Sequence, residues 1–123
     1  MDLCLREQFE DKRGKIFFFS YGSINLHIVE IKKGFARGGK YHSYEKDFFL
    51  ISGKVEYREK DMKVNNEKIR IIQAPTTIHL QPNTAHLLLA LEDSVVCYFF
   101  NHKEESTYDL EYRNIVEEKL RCS

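Results

Sequence analysis

The chain has 123 residues, with 19 basic and 19 acidic side chains balancing to a formal net charge of 0, and it is 42% hydrophobic and 13% aromatic. That length suits one domain that buries roughly two-thirds of its unfolded surface, so the core needs neither disulfide nor structural metal. The charge balance speaks against a nucleic-acid partner or a polybasic membrane-surface role, and the composition speaks against disorder.

The segments are short, rich in β-branched and aromatic residues, and closely spaced, which predicts an all-β sandwich or barrel. Lys15 to Ser20 reads as a strand closed by Tyr21 and Gly22, and Ile24 to Lys32 as a longer one. Gly34 to Lys40 carries three glycines and reads as a loop in which the backbone can approach a ligand. Asp47 to Ser52 and Lys54 to Glu59 flank a turn at Gly53. After the turn signal Asn65-Asn66, Lys68 to Gln73 and Thr76 to Leu80 follow as short strands around Pro75. A turn at Pro82-Asn83-Thr84 leads into a last hairpin of His86 to Leu91 and Val95 to Asn101. From Tyr108 the pattern changes, and Ile115, Val116 and Leu120 have approximate helical spacing. This predicts a docked C-terminal helix capped by Asn114, with an extended arm packing on a second subunit as the alternative. We read residues 1–123 as one domain, with a core at about 9–102 and a tail at 103–123.

Three cysteines, Cys4, Cys97 and Cys122, form no CxxC pair, which fits a reducing, cytoplasmic compartment. Met1 to Glu10 lacks the apolar core of a signal peptide, and no run approaches the ~18 apolar residues of a membrane span. Several strands are apolar on both faces, for example Phe17-Phe18-Phe19 and Leu87-Leu88-Leu89. Two sheets plus a dimer partner would cover them, so a homodimer is expected.

The polar residues with chemistry to offer fall in two places: Arg37, Lys40, His42, Tyr44, Glu45 and Asp47 in one stretch, His79 and His86 around Pro82 in the other. The stretch Arg37-Gly-Gly-Lys-Tyr-His42, followed by Asp47-Phe-Phe-Leu-Ile-Ser-Gly53, resembles the first cupin motif as found in the sugar-nucleotide branch. Pro82-Asn-Thr-Ala-His86, followed by Leu91-Glu-Asp-Ser-Val-Val, resembles the second cupin motif. Upstream, Asp11-Lys-Arg13-Gly14 resembles the Asp-x-Arg-Gly opening of dTDP-4-dehydrorhamnose 3,5-epimerases and dTDP-sugar 3,4-ketoisomerases. The resemblance covers residues 9 to 100 and implies a double-stranded β-helix, the cupin jelly roll, with a pocket in the barrel mouth. It also implies a metal-free isomerase or epimerase acting on a nucleotide-linked 4-keto-6-deoxysugar for surface polysaccharide. Two departures stand out. Lys40 replaces the first histidine of the ketoisomerase pair, and Lys46 stands where metal-binding cupins carry a glutamate.

In that reading His42 is the base, because its ordinary pKa near 6.5 suits proton abstraction beside a ketone. Tyr44, two residues on and so on the same strand face, or His86 is the partner acid. Arg37 and Lys40 stabilise negative charge, Arg13 reaches a nucleotide phosphate, and His79 lines the pocket. His27 is a weaker pocket candidate, and His102 is expected to be solvated. No cofactor is expected. The alternatives are a non-catalytic sugar- or small-molecule-binding cupin, and a cupin enzyme using a divalent transition metal on His42, His86 and Glu45. The metal set has a parity problem, since His42 and Glu45 are three apart and face opposite ways on a regular strand.

Overall fold

The computed structural model describes residues 1–101 and 105–121, so the expectations for His102 and Cys122 lie outside the described residues. Ten strands follow one another: β1 (Leu3–Asp11), β2 (Gly14–Tyr21), β3 (Ile24–Ile31), β4 (Ala36–Tyr41), β5 (Lys46–Ser52), β6 (Lys54–Asp61), β7 (Asn66–Gln73), β8 (Thr76–Leu80), β9 (Thr84–Ala90) and β10 (Ser94–Phe100). A short strand β11 (Thr107–Tyr108) and a helix α1 (Leu110–Arg121) close the chain. All pairings are antiparallel, in one sheet of order β1-β2-β3-β10-β5-β8 and another of order β11-β4-β9-β6-β7. This is the two-sheet all-β architecture expected from the strand spacing, in the jelly-roll form that the cupin resemblance implies.

Period-two alternation decides which face each strand buries. On β5, Lys46, Phe48 and Leu50 are buried while Asp47, Phe49 and Ile51 are exposed. Phe48 and Leu50 meet Val29 and Val96 of the same sheet and Val55, Tyr57, Leu88 and Ala90 of the facing one, which makes the central core. On β9 the intervening residues Ala85 and Leu87 face the other way. They pack with Ala36 against Tyr112 and Val116 of α1, with Leu89 alongside, in a second cluster. The apolar excess at Leu87-Leu88-Leu89 is thus covered within one chain, by the barrel interior on one side and the helix on the other.

Three local readings are corrected. Residues 36–41 are a strand rather than part of a loop. Gly38 and Gly39 misled the reading because both have positive φ, 117° and 85°, at a bulge between Gly38 and Lys40. A side chain at Gly38 would put its Cβ 2.6 Å from the His86 carbonyl oxygen, so this strand pairs closely with β9 only as glycine. Secondly, a strand forms at residues 3–11, where charged residues at an exposed sheet edge hid the alternation. Thirdly, α1 starts earlier than expected and its cap is Asp109, not Asn114. The Asp109 carboxylate accepts from the Tyr112 amide at 3.2 Å.

Among the described residues, no helix covers the outer face of the six-stranded sheet. Register places Phe17, Ile28, Cys97 and Phe49 in one row across four strands, with Phe19, Leu26 and Phe99 in the next. Phe99 is 71% exposed and Phe49 42% exposed.

Candidate functional site

The barrel interior is capped at one end by aliphatic core and opens at the other into a cavity of about 350 Å³. Its floor is Ile16, Val29, Leu88 and Val96. Above them stand five basic residues, Arg13, Arg37, Lys40, Lys46 and Arg113, and three histidines, His27, His42 and His86. Among the described residues no aspartate or glutamate lines it. Charges of one sign focused in a low-dielectric cleft make a site for anions.

Each strand contributes for a reason visible in its register. Lys40 and His86 are direct partners across β4 and β9. Beside the bulge, the Lys40 carbonyl accepts a hydrogen bond from His86 Nδ1–H at 3.2 Å. His42 follows β4, and its Nδ1–H donates to the Glu105 carbonyl at 2.9 Å. Both rings therefore carry a proton on Nδ1, because each faces a carbonyl oxygen that can only accept. The Asn83 amide donates to the His42 carbonyl at 2.6 Å, tying the two motif turns together, and Asn83 has a left-handed backbone (φ 58°). Burial first, then the nearby charges of Lys46 and His42, push the His86 pKa down to about 3 against the pull of its hydrogen bond, so His86 is neutral at pH 7.

Arg37 is buried, and its Nε–H donates to the Glu30 carbonyl at 3.0 Å. Burial and the neighbouring Arg13 lower its pKa to about 10, with Asp11 opposing, and it stays cationic at neutral pH. Arg13 forks onto Asp11, with Nη2 to Oδ2 at 2.6 Å, while Arg37 lies 4.0 Å from the same carboxylate. Against the upward effect of burial, Arg13 holds Asp11 below the usual carboxylate range. Lys46 is buried, with Nζ 3.8 Å from the Tyr98 ring centroid and 5.3 Å from that of Phe48, so aromatic faces support its charge. Tyr98 Oη lies 2.8 Å from His27 Nδ1, an aromatic pair joined by a hydrogen bond across β3 and β10.

Of the residues singled out from sequence, Arg13, His27, Arg37, Lys40, His42 and His86 converge on the cavity. Tyr44 does not line it. Its ring stacks on His42 with centroids 4.8 Å apart and borders a separate depression of about 310 Å³ with Glu45 and Asp47. Residues 42–45 lie between two strands, so the same-face argument for Tyr44 does not apply there. His79 is on the outer face, with Nδ1 2.6 Å from Asp47 and Nε2 3.7 Å from Glu45. Its hydrogen bond to Asp47 raises its pKa. Glu45 thus points away from His42 and His86, and among the described residues no group of three His, Cys, Asp or Glu side chains is placed to hold a metal ion. Lys46 beside His86 would also repel a cation. Among the described residues, His42, His86 and Glu45 therefore do not converge as the set of ligands expected for a metal.

The cavity also contains residues that the sequence reading did not place there. Tyr98 is one, brought beside His27, the weaker candidate from sequence, by a direct pairing between β3 and β10 that needs the register. Lys46 was noted only as a departure, although the alternation Lys46, Phe48, Leu50 gives its inward face. Tyr108 and Arg113 arrive only through docking of the tail.

No protein-family model matches the chain, and no curated protein matches it. Solved structures do. A crystal structure of CapF with the inhibitor 3-isopropenyl-tropolone superposes with TM-score 0.70 and 16% identity, over 83% of this chain and 33% of that one. The capsular polysaccharide assembling protein CapF from Staphylococcus aureus, in space group C2221, gives TM-score 0.69 and 16% identity over the same shares. Oxalate decarboxylase of Bacillus subtilis, a protein with Mn(II) centers, gives 0.70 and 17% identity, over 84% of this chain and 30% of that one. The chain spans about a third of the length of these neighbours. Its fold is the cupin double-stranded β-helix.

Proposed function

We propose that the cavity binds a nucleotide-linked 4-keto-6-deoxysugar and that the chain moves a proton beside the keto group, as a metal-independent isomerase or epimerase. The cationic cavity carries this reading: five basic side chains and three histidines over an aliphatic floor. A diphosphate-linked sugar supplies the complementary charge. Abstraction of a proton from the carbon next to the ketone leaves an enolate; its return to the opposite face of that carbon epimerises the sugar, whereas delivery to the former carbonyl carbon, with the adjacent hydroxyl proton passing to the old carbonyl oxygen, isomerises it. His42 Nε2 takes the proton, and Arg37 and Lys46 hold the developing oxyanion. Tyr98, paired with His27, returns a proton in the role first assigned to Tyr44, while neutral His86 accepts a hydrogen bond from a sugar hydroxyl. The capsule-assembling neighbour supports a surface-polysaccharide sugar as substrate.

The test is deuterium uptake from heavy water into a dTDP-linked 4-keto-6-deoxysugar, followed by NMR. Wild type is expected to exchange the proton beside the ketone, and His42→Asn to lose about a hundredfold or more of that rate. A folded wild type that binds the nucleotide sugar without exchange would instead be a non-catalytic cupin, a reading favoured by Lys40 in place of the first histidine.

We also propose that a second copy of the chain covers the outer face of the six-stranded sheet. The rows Phe17-Ile28-Cys97-Phe49 and Phe19-Leu26-Phe99 present a larger apolar surface than isolated exposed side chains do. Sedimentation equilibrium is expected to give a dimer for wild type and a monomer for Phe99→Arg. A monomeric wild type would remove the proposal.

A further inference from the structure

We infer that Lys40, Tyr108 and Arg113 form a phosphate subsite at the rim of the cavity, so that the C-terminal segment selects a ligand carrying a phosphate chain. This rests on the reading of the cavity as an anion site and assigns the part that recognises phosphate.

The geometry begins with β11, which adds to the edge of β4 and sets Tyr108 directly opposite Lys40. Helix α1 follows at once, and its first turn sits against Gly39. A Cβ at Gly39 would lie 3.0 Å from the Arg113 nitrogen and 3.1 Å from its Cα, so glycine is what lets this turn sit so close. Gly38 and Gly39 thus serve different purposes, one for the approach of β9 and one for the approach of the helix.

The result is two cations around one ring. Lys40 Nζ is 5.5 Å from the Tyr108 centroid, and Arg113 Cζ is 5.2 Å from it. Each gains a modest cation–π attraction. Neither is well neutralised: among the described residues Lys40 has no carboxylate within ion-pair distance, and Arg113 has only the half-exposed Glu117 at 3.6 Å. Arg13 and Arg37, deeper in the cavity, differ because Asp11 serves them both. At the rim, therefore, two cations stand together without a buried carboxylate between them among the described residues. A phosphate group there would accept from the guanidinium fork and from the ammonium together, relieving their repulsion. The sugar would then lie inward, towards His42 and Tyr98.

Isothermal titration of wild type and variants with dTDP, inorganic diphosphate and thymidine tests this. Wild type is expected to bind dTDP and to ignore thymidine. Arg113→Gln and Lys40→Gln should each weaken dTDP about tenfold, and Arg113→Lys should recover part of the loss. Glu117→Gln should cost nothing. Far-UV circular dichroism checks that α1 stays folded in each variant. If diphosphate is weakened by the same substitutions, the rim reads phosphate itself. Wild-type dTDP affinity in both Gln variants overturns the subsite and leaves the anion cavity standing. A wild type that binds neither dTDP nor diphosphate overturns both.

Discussion

Asp109→Ala is expected to cost roughly 3 kcal/mol of stability, lowering the melting temperature by about 10 °C or more, and to undock the C-terminal helix. Three interactions meet at this residue. Its carboxylate pairs with Lys60 Nζ at 2.8 Å, and both side chains are less than a tenth exposed. The same carboxylate caps α1 through the Tyr112 amide. Its own amide donates to the Gly39 carbonyl at 2.8 Å, which fastens the helix start to β4. Removing the carboxylate leaves the Lys60 ammonium in a nearly closed space with the more distant and exposed Glu111, at 3.5 Å, as its remaining ion-pair partner among the described residues. An orphaned buried charge is worth about 3–5 kcal/mol, and loss of a cap about 1 more, while re-pairing with Glu111 returns some of this. The double variant Asp109→Ala/Lys60→Met should be more stable than Asp109→Ala alone, because methionine keeps the contact with Tyr112 without the charge. Because Tyr108 and Arg113 travel with the helix, dTDP affinity should fall as well. A melting shift of only a degree or two would mean that the buried pair contributes little.

Acid should destabilise the protein through His86. The unfolded chain takes up a proton on this ring near its ordinary pKa of about 6.5, whereas the folded protein resists until about 3. Between those values the unfolded state binds more protons, so stability falls as pH falls. The contribution is fully present above pH 6.5 and fades below it, by roughly 2 kcal/mol at pH 5. His86→Gln, which keeps a donor for the Lys40 carbonyl, should flatten this dependence. Denaturant midpoints measured between pH 7 and pH 4.5 for wild type and variant would show the difference. Parallel curves would mean that the folded protein protonates His86 without penalty. The same buried, neutral ring is why the role of base goes to His42 and a hydrogen-bonding role to His86.

Much of the fold was legible because turns and alternation are local signals. The Pro82-Asn83-Thr84 turn and the hairpin to Phe100 could be read from adjacent residues. β4 was hidden because Gly38 and Gly39 look like a loop until β9 and α1 are seen pressing against them. Asn114 looked like the cap since it precedes the helical spacing. Asp109 caps because it also finds Lys60, which lies forty-nine positions away in sequence. Arg37, Lys40, His42 and His86 were found from motif order, and the structure brings them to one cavity. Tyr44 and His79 were assigned by strand parity and by proximity to Pro82. Parity fails in the connection at 42–45 and turns His79 outward on β8. Tyr98 with His27, and Arg113 with Lys40, are contacts of register and docking, which no single segment encodes.

The central claim, that this cavity is an anion site for a phosphate-linked sugar, is tested most directly by titrating isotope-labelled protein with dTDP and following residue-resolved NMR shifts. The account predicts perturbations concentrated at Arg37, Lys40, Lys46, His86 and Arg113, with His79 and the depression beside Tyr44 unmoved. Shifts confined to the outer face, or none at saturating dTDP, would contradict it.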